Sequence, residues 1–198
     1  MMNYGAAVQK YFGHNTDMLA NDMLSETQKA LEWDENLVSE VTQSEVDGLE
    51  RDRTIFTKRT VNMSLEGTLD FNFLFTIDAA AMATAQESGI MRWSQATYDA
   101  VGGVLTMKNA DSIGSLDLRE DGRYVGVYPG VAAKEYKDLV YVCAYVKDAK
   151  GDYHYSGVIR YNVATYASST VADSPNELLK TEIKHMIVYC DAARNYFN

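Results

Sequence analysis

The residues of this chain that are best suited to contact a ligand are aromatic, because their rings can stack on it. The 198 residues include 14 Tyr, 6 Phe and 2 Trp. A flat aromatic face packs against the apolar face of a pyranose ring, and a few polar groups then fix the orientation of the sugar. The candidate ligand-binding residues lie at polar turns, strand ends or charged stretches: Trp93, Tyr98, Tyr128 and Tyr136. For Trp93, at the end of the segment IMRW, an ordinary core position is the alternative interpretation.

Patterns that would indicate catalysis or a metal site are weak. His14, His154 and His185 lie in unrelated contexts, and the two cysteines, Cys143 and Cys190, do not form a Cys-x-x-Cys pair. The segment NTDMLAND lacks the Gly and Glu of an EF-hand loop. No Ser is flanked as in Gly-x-Ser-x-Gly, and no Gly-rich phosphate loop is present. We therefore expect no catalytic residues, no metal ligands and no cofactor, and a chain that is not an enzyme.

The charge balance narrows the range of partners. Lys and Arg number 18 against 28 Asp and Glu, a net charge of −10. Nucleic acids and anionic membranes bind basic surfaces, so neither is an expected partner. No run of about 18 apolar residues exists, so we expect no membrane insertion. The opening MMNYGAAVQKYFG lacks the regions of a signal peptide, so an export signal would lie outside this sequence.

The elements that must position the aromatic residues are mostly strands. Apolar and polar residues alternate from Leu69 to Ile77, which predicts a strand with one buried face. Its partner precedes it along the chain. Because side chains alternate with period 2, only a loop with an odd number of residues keeps both apolar sets on one face. This predicts Leu65 opposite Leu69 and Met63 opposite Phe71.

A second hairpin is predicted around residues 148–151. Pairing Lys147 with Asp152 gives the hairpin two faces of different composition. The face expected in the core carries Val140, Val142, Val146, Tyr153, Tyr155 and Ile159. The outer face carries Tyr141, Cys143, Tyr145, His154 and Val158, and is too apolar to be left bare.

The C-terminal helix has the strongest sequence signals. Ser174-Pro175-Asn176-Glu177 predicts a capping box with Pro at the first helical position. A continuous apolar stripe then follows at helical spacing: Leu179, Ile183, Met186, Cys190, Ala193 and Phe197. We expect this stripe to cover the outer face of the second hairpin. A helix lies about 10 Å from a sheet, too far for a disulfide, so Cys143 and Cys190 should be two free, buried thiols.

The predicted fold is mainly β with flanking helices. It is a β-sandwich of about seven or eight strands with an N-terminal helix and a long C-terminal helix. The expected organisation is an N-terminal helical segment over residues 1–35, the sandwich over 36–170, and the C-terminal helix over 171–198, packed on the sandwich as one structural domain.

The two ends of the chain carry a repeated pattern. Five identical residues recur at an offset of 185: Met1 and Met186, Tyr4 and Tyr189, Ala7 and Ala192, Tyr11 and Tyr196, Phe12 and Phe197. One interpretation is a chance similarity of two helices rich in Tyr and Ala. The other is a tandem array in which the closing helix of one module opens the next. On that interpretation, residues 1–12 pack on their own module or on a neighbouring molecule through Tyr4, Val8 and Tyr11.

The segments NYGAAVQKYFGHNTDMLAN, SLEGTLDFNFLF, NVATYASS and LLKTEIKHMIVYCDAARNYF resemble a repeated module of large exported surface proteins of gut Firmicutes. The resemblance touches both ends and the centre. Two residues depart from the pattern: His14 replaces an aromatic residue and Cys190 replaces Gly. The resemblance implies an exported, multimodular context without catalytic motifs.

These observations together favour a secreted or cell-surface module that binds polysaccharide, glycan or another extracellular ligand without catalysis. The alternative is a structural spacer that positions neighbouring modules of the same chain. Exposure and clustering of the four candidate aromatic residues distinguish the two.

Overall fold

The computed structural model describes residues 7, 8, 10, 11, 13, 49–64, 68–168 and 174–197. These residues are mainly β, with two antiparallel sheets and a long C-terminal helix. The chain divides into two compact units. The β unit comprises Gln43–Val131 and Asp138–Tyr161, and the helical unit comprises Met1–Thr42, Ala132–Lys137 and Asn162–Asn198.

The two sheets of the β unit contain nine strands in the described part of the chain. They are β1 (Phe56–Ser64), β2 (Leu69–Ile77), β3 (Glu87–Ser94), β4 (Ser112–Gly114), β5 (Asp117–Leu118), β6 (Tyr124–Val131), β7 (Val140–Lys147), β8 (Tyr153–Tyr155) and β9 (Ile159–Tyr161). One sheet has the order β1-β2-β6-β5, and the other has the order β4-β3-β7-β8, with β9 also paired to β7. The helices are α1 (Ala79–Ala83), α2 (Gln95–Ala100), α3 (Val163–Tyr166) and α4 (Glu177–Phe197).

The register of the first hairpin confirms the prediction from alternation. Met63 lies opposite Phe71, and Val61 lies opposite Phe73. Leu65, the predicted partner of Leu69, lies outside the described residues.

Aromatic contacts between the sheets form a sandwich-like core. The rings of Phe71 and Phe73 meet the ring of Tyr161 edge to face, with centroids 5.3 and 6.2 Å apart. On the same interface a Cβ at Gly126 would lie 2.5 Å from Cδ1 of Ile90. The sheets therefore approach closely where β6 carries no side chain. This arrangement confirms the predicted β-sandwich class.

The register predicted for the second hairpin is wrong. Lys147 lies opposite Tyr153, not Asp152. The backbone N–H of Asp148 donates to the carbonyl of Asp152 at 2.9 Å, which leaves a loop of three residues, 149–151. The Asp148 carboxylate accepts hydrogen bonds from the backbone N–H groups of Lys150 and Asp152, at 2.8 and 2.9 Å. Gly151 takes the left-handed conformation, with φ of 94°, which such three-residue loops require. The odd loop moves Tyr153 and Tyr155 from the valine face to the face of Tyr145 and moves His154 to the valine face.

The outer face of the second hairpin is covered from within the β unit. Tyr141, Cys143 and Tyr145 are buried in a cluster that includes Leu49 and Leu105. The ring of Tyr98 from α2 stacks on that of Tyr141 at 4.2 Å. The sequence predicted that the C-terminal helix covers this face. The segment around α2 covers it instead, since Tyr98, Val101 and Met107 pack against the cluster.

The C-terminal helix α4 begins two residues later than its sequence suggests. Asn176 caps it, since its side-chain oxygen accepts from the N–H groups of Leu178 and Leu179 at 3.1 Å. The last member of the predicted stripe, Phe197, is exposed. The other members are buried, namely Leu179, Ile183, Met186, Cys190 and Ala193. Cys143 and Cys190 are free and buried, as predicted.

Ala7 is buried, and Val8 and Tyr11 are half-buried, within the described part of the N-terminal segment. Tyr4, the third predicted contact, lies outside that part. None of the described helices is both long and apolar enough to cross a membrane.

Candidate ligand-binding surface

Trp93 has no exposed surface and therefore presents no face to a ligand. Its indole Nε1 donates a hydrogen bond to the Asn109 side chain at 2.9 Å, and its ring belongs to the cluster beneath α2. Trp93 is thus a core residue, the alternative that its position in IMRW had left open.

The other three candidates do not form one platform. Tyr98 is half-buried against Tyr141. Tyr128 is half-buried in β6, opposite Phe71 of β2 in the same sheet. Tyr136 is 6% exposed and belongs to the helical unit. None of these three tyrosines has the exposed ring that we predicted from the sequence.

The structure places a different tyrosine pair at the surface. The corrected register brings Tyr153 and Tyr155 beside Tyr145 on the outer face of β7 and β8. Tyr153 is 37% exposed, and Tyr155 is half-buried. Their ring planes are 8° apart, with centroids 6.2 Å apart. The ring of Tyr145 lies 5.8 Å from that of Tyr153.

Polar groups border this aromatic pair. The Tyr145 hydroxyl donates to a carboxylate oxygen of Glu87 at 2.5 Å. Glu87 lies opposite Lys147 in the β3–β7 ladder, and the Lys147 ammonium lies 5.2 Å from the centre of the Tyr153 ring. A Cβ at Gly89 would lie 3.0 Å from the Tyr145 ring, so glycine leaves room for the ring over β3. We call Glu87, Tyr145, Lys147, Tyr153 and Tyr155 the tyrosine surface.

The tyrosine surface is suited to binding rather than to proton transfer. Burial, together with the hydrogen bond to Glu87, raises the pKa of Tyr145, and burial raises the pKa of Tyr155. Both phenols are therefore neutral near pH 7 and offer apolar faces and hydroxyl groups. Beneath them, burial raises the pKa of the Cys143 thiol to about 12, so this thiol is not an activated nucleophile.

A histidine between two aspartates fixes the edge strand that carries these tyrosines. His154 Nδ1 lies 2.9 Å from Asp52 Oδ2, and its Nε2 lies 3.5 Å from Asp148 Oδ2. The backbone N–H of Asp52 donates to the carbonyl of Tyr155 at 2.9 Å. Hydrogen bonds, first from the Thr54 hydroxyl and also from His154, lower the pKa of Asp52 to about 2. This cluster holds β8 in place beside residues 51 and 52.

Asp52→Asn should destabilise the chain by about 1–2 kcal/mol at pH 7, because it weakens hydrogen bonds to a charged acceptor. The pKa of Asp52 is lowered from 3.8, so its contribution to stability is present above pH 3.8 and is lost as the pH falls towards 2. Melting temperatures measured from pH 2 to pH 7 should show the wild type and the variant converging at the acid end. Asp117→Asn, on exposed β5, is the matched control, and equal losses in both variants would contradict the assignment.

Sequence reasoning missed both features for identifiable reasons. Asp52 and His154 are 102 residues apart, and no local pattern joins them. The tyrosine surface depends on the parity of one loop. The signal that could have found it is Asp148 three residues before Gly151, a spacing typical of a turn that ends in a left-handed glycine.

Across the described residues, no three His, Cys, Asp or Glu side chains come close enough together to hold a metal ion. No family model matches the chain, and neither the curated proteins nor the solved structures include a match.

Proposed function

We propose that this chain is a non-catalytic module that binds carbohydrate through the tyrosine surface. The observation that carries the proposal is the exposure of Tyr153 beside the nearly parallel ring of Tyr155. Such rings pack against the apolar face of a pyranose, while the groups around them bind its hydroxyls. Lys147 and Glu87 supply one donor and one acceptor at the border of the rings.

The net charge favours a neutral glycan as the ligand. At −10, the chain repels polyanions at long range, and Lys147 is the cation that lies over the exposed ring. A neutral polysaccharide carries no such penalty. The resemblance of the end signature to modules of exported gut Firmicutes proteins supports a secreted or cell-surface location, where such polysaccharides are encountered.

Tyr153→Ala should weaken polysaccharide binding by about 1–3 kcal/mol, the usual loss for one aromatic anchor. Because the ring is partly exposed, the melting temperature should change little. Affinity electrophoresis in gels that contain a neutral soluble glucan, xylan or galactomannan measures the retardation. Tyr153→Phe should keep most of the binding, since the ring is retained.

Leu118→Ala is the matched control, because Leu118 is 65% exposed on β5, in the other sheet. Equal retardation of the wild type, Tyr153→Ala and Leu118→Ala would exclude the tyrosine surface as the site.

The second candidate is a spacer module in a tandem array, favoured by the pattern repeated at an offset of 185. A spacer needs a fixed geometry between modules. Small-angle scattering from two complete copies joined in one chain should then indicate one elongated particle, whereas a distribution of interdomain distances would argue against it.

A further inference from the structure

Helix α4 carries two stripes of apolar side chains, and one of them is buried. The buried stripe ends in its last two turns at Cys190 and Ala193. A second stripe, displaced by one residue, includes Ala192, which is exposed, and Tyr196, which is 82% exposed. The ring of Tyr196 meets that of Phe197, 66% exposed, at 4.9 Å. The end of this helix therefore presents an apolar surface that its own unit does not cover.

The N-terminal copy of the repeat shows what covers such a stripe. Ala192 and Tyr196 correspond to Ala7 and Tyr11 at the offset of 185. Ala7 is only 5% exposed, and Tyr11 is half-buried. Burial raises the pKa of Tyr166 in α3, and the charge interaction with Tyr11 adds to the rise. The same residues are thus covered in one copy and exposed in the other.

A position outside the stripe behaves alike in both copies. Lys10 is exposed, and so is Asn195, its counterpart. Val8 is half-buried, whereas its counterpart Ala193 is 5% exposed, so this position is more covered in α4 than in the N-terminal copy. The end of α4 is therefore not uniformly less buried than the N-terminal copy.

We propose that this second stripe of α4 is the docking surface for a second copy of this fold, in which residues 186–197 take the place of residues 1–12. The helix would then close one module through Cys190 and Ala193 and open the next through Ala192 and Tyr196. Successive residues on a helix point about 100° apart, so both modules can pack on it at once. This inference rests on the array function proposed above.

The test compares the 198-residue chain with a tandem chain in which residues 1–197 are followed directly by residues 13–198. The 198-residue chain and the first copy of the tandem chain carry Ala192→Cys, and both proteins are labelled with a maleimide. The native thiols of Cys143 and Cys190 are buried and give little background. We expect labelling at position 192 to be slower by about tenfold or more in the tandem chain, because a buried thiol is protected. Asn195→Cys, the matched control, should react equally in both chains.

Equal reactivity of position 192 in the two chains would overturn the proposal. So would a tandem chain whose second copy shows no cooperative unfolding, since residues 186–197 would then be unable to replace residues 1–12. A tandem of two complete copies separates this failure from a failure of the array function. If its modules keep a fixed spacing while the tandem with the shared helix fails, the array function stands and only the shared helix is wrong.

Discussion

Trp93→Ala should lower the free energy of unfolding by about 3–5 kcal/mol, the usual cost of truncating a fully buried aromatic side chain. The indole has no exposed surface and fills the cluster between β3 and the segment around α2. Its removal also leaves the Asn109 side chain without the donor at 2.9 Å. Urea denaturation of the intact chain measures the loss.

Trp93→Phe provides the comparison, because it keeps a ring but removes the indole donor. It should cost less than the Ala variant. If Trp93→Ala were to leave stability unchanged and abolish polysaccharide binding, Trp93 would be a ligand residue and the assignment to the core would be wrong.

Glu182→Met should stabilise the chain at pH 8 by about 2 kcal/mol, because it removes a buried charge that has no hydrogen-bond partner among the described residues. Glu182 of α4 is fully buried, and neither carboxylate oxygen has a hydrogen-bond partner in the described part of the chain. Burial raises its pKa from 4.5 to about 7. The unfolded chain therefore releases this proton at a lower pH than the folded chain.

The raised pKa fixes the sign of the pH dependence. Stability from this group is complete below pH 4.5 and is lost as the pH rises towards 7. The gain from Glu182→Met should therefore be larger at pH 8 than at pH 4, as measured by thermal unfolding at both values. Glu177→Gln, exposed in the first turn of the same helix, is the control. Parallel pH profiles for the wild type and Glu182→Met would contradict the assignment.

Strand pairing was predictable where the alternation of apolar and polar residues determines the register. In β1 and β2 both apolar sets must face the core, so alternation alone places Met63 opposite Phe71. In the β7–β8 hairpin both faces are apolar, and alternation does not choose between two registers. There the side chain of Asp148 and the backbone conformation of Gly151 determine the loop length. The predicted pairing of Lys147 with Asp152 therefore gave the wrong register.

Two further features depend on contacts that sequence patterns do not contain. Residues 107–109 form a short turn, in which the Asn109 side chain accepts from the Thr106 N–H and donates to the Val104 carbonyl. Glu182 lies three residues after Leu179 on α4 and is buried with the apolar stripe, although a charged side chain predicts an exposed position.

A glycan microarray probed with the wild type and with Tyr153→Ala tests carbohydrate binding through the tyrosine surface. We expect the wild type to bind a set of neutral glycans and the Ala variant to lose those signals, while Tyr153→Phe keeps them. Binding by the wild type that Tyr153→Ala leaves unchanged would contradict the tyrosine surface. A microarray with no bound glycan would contradict carbohydrate binding itself.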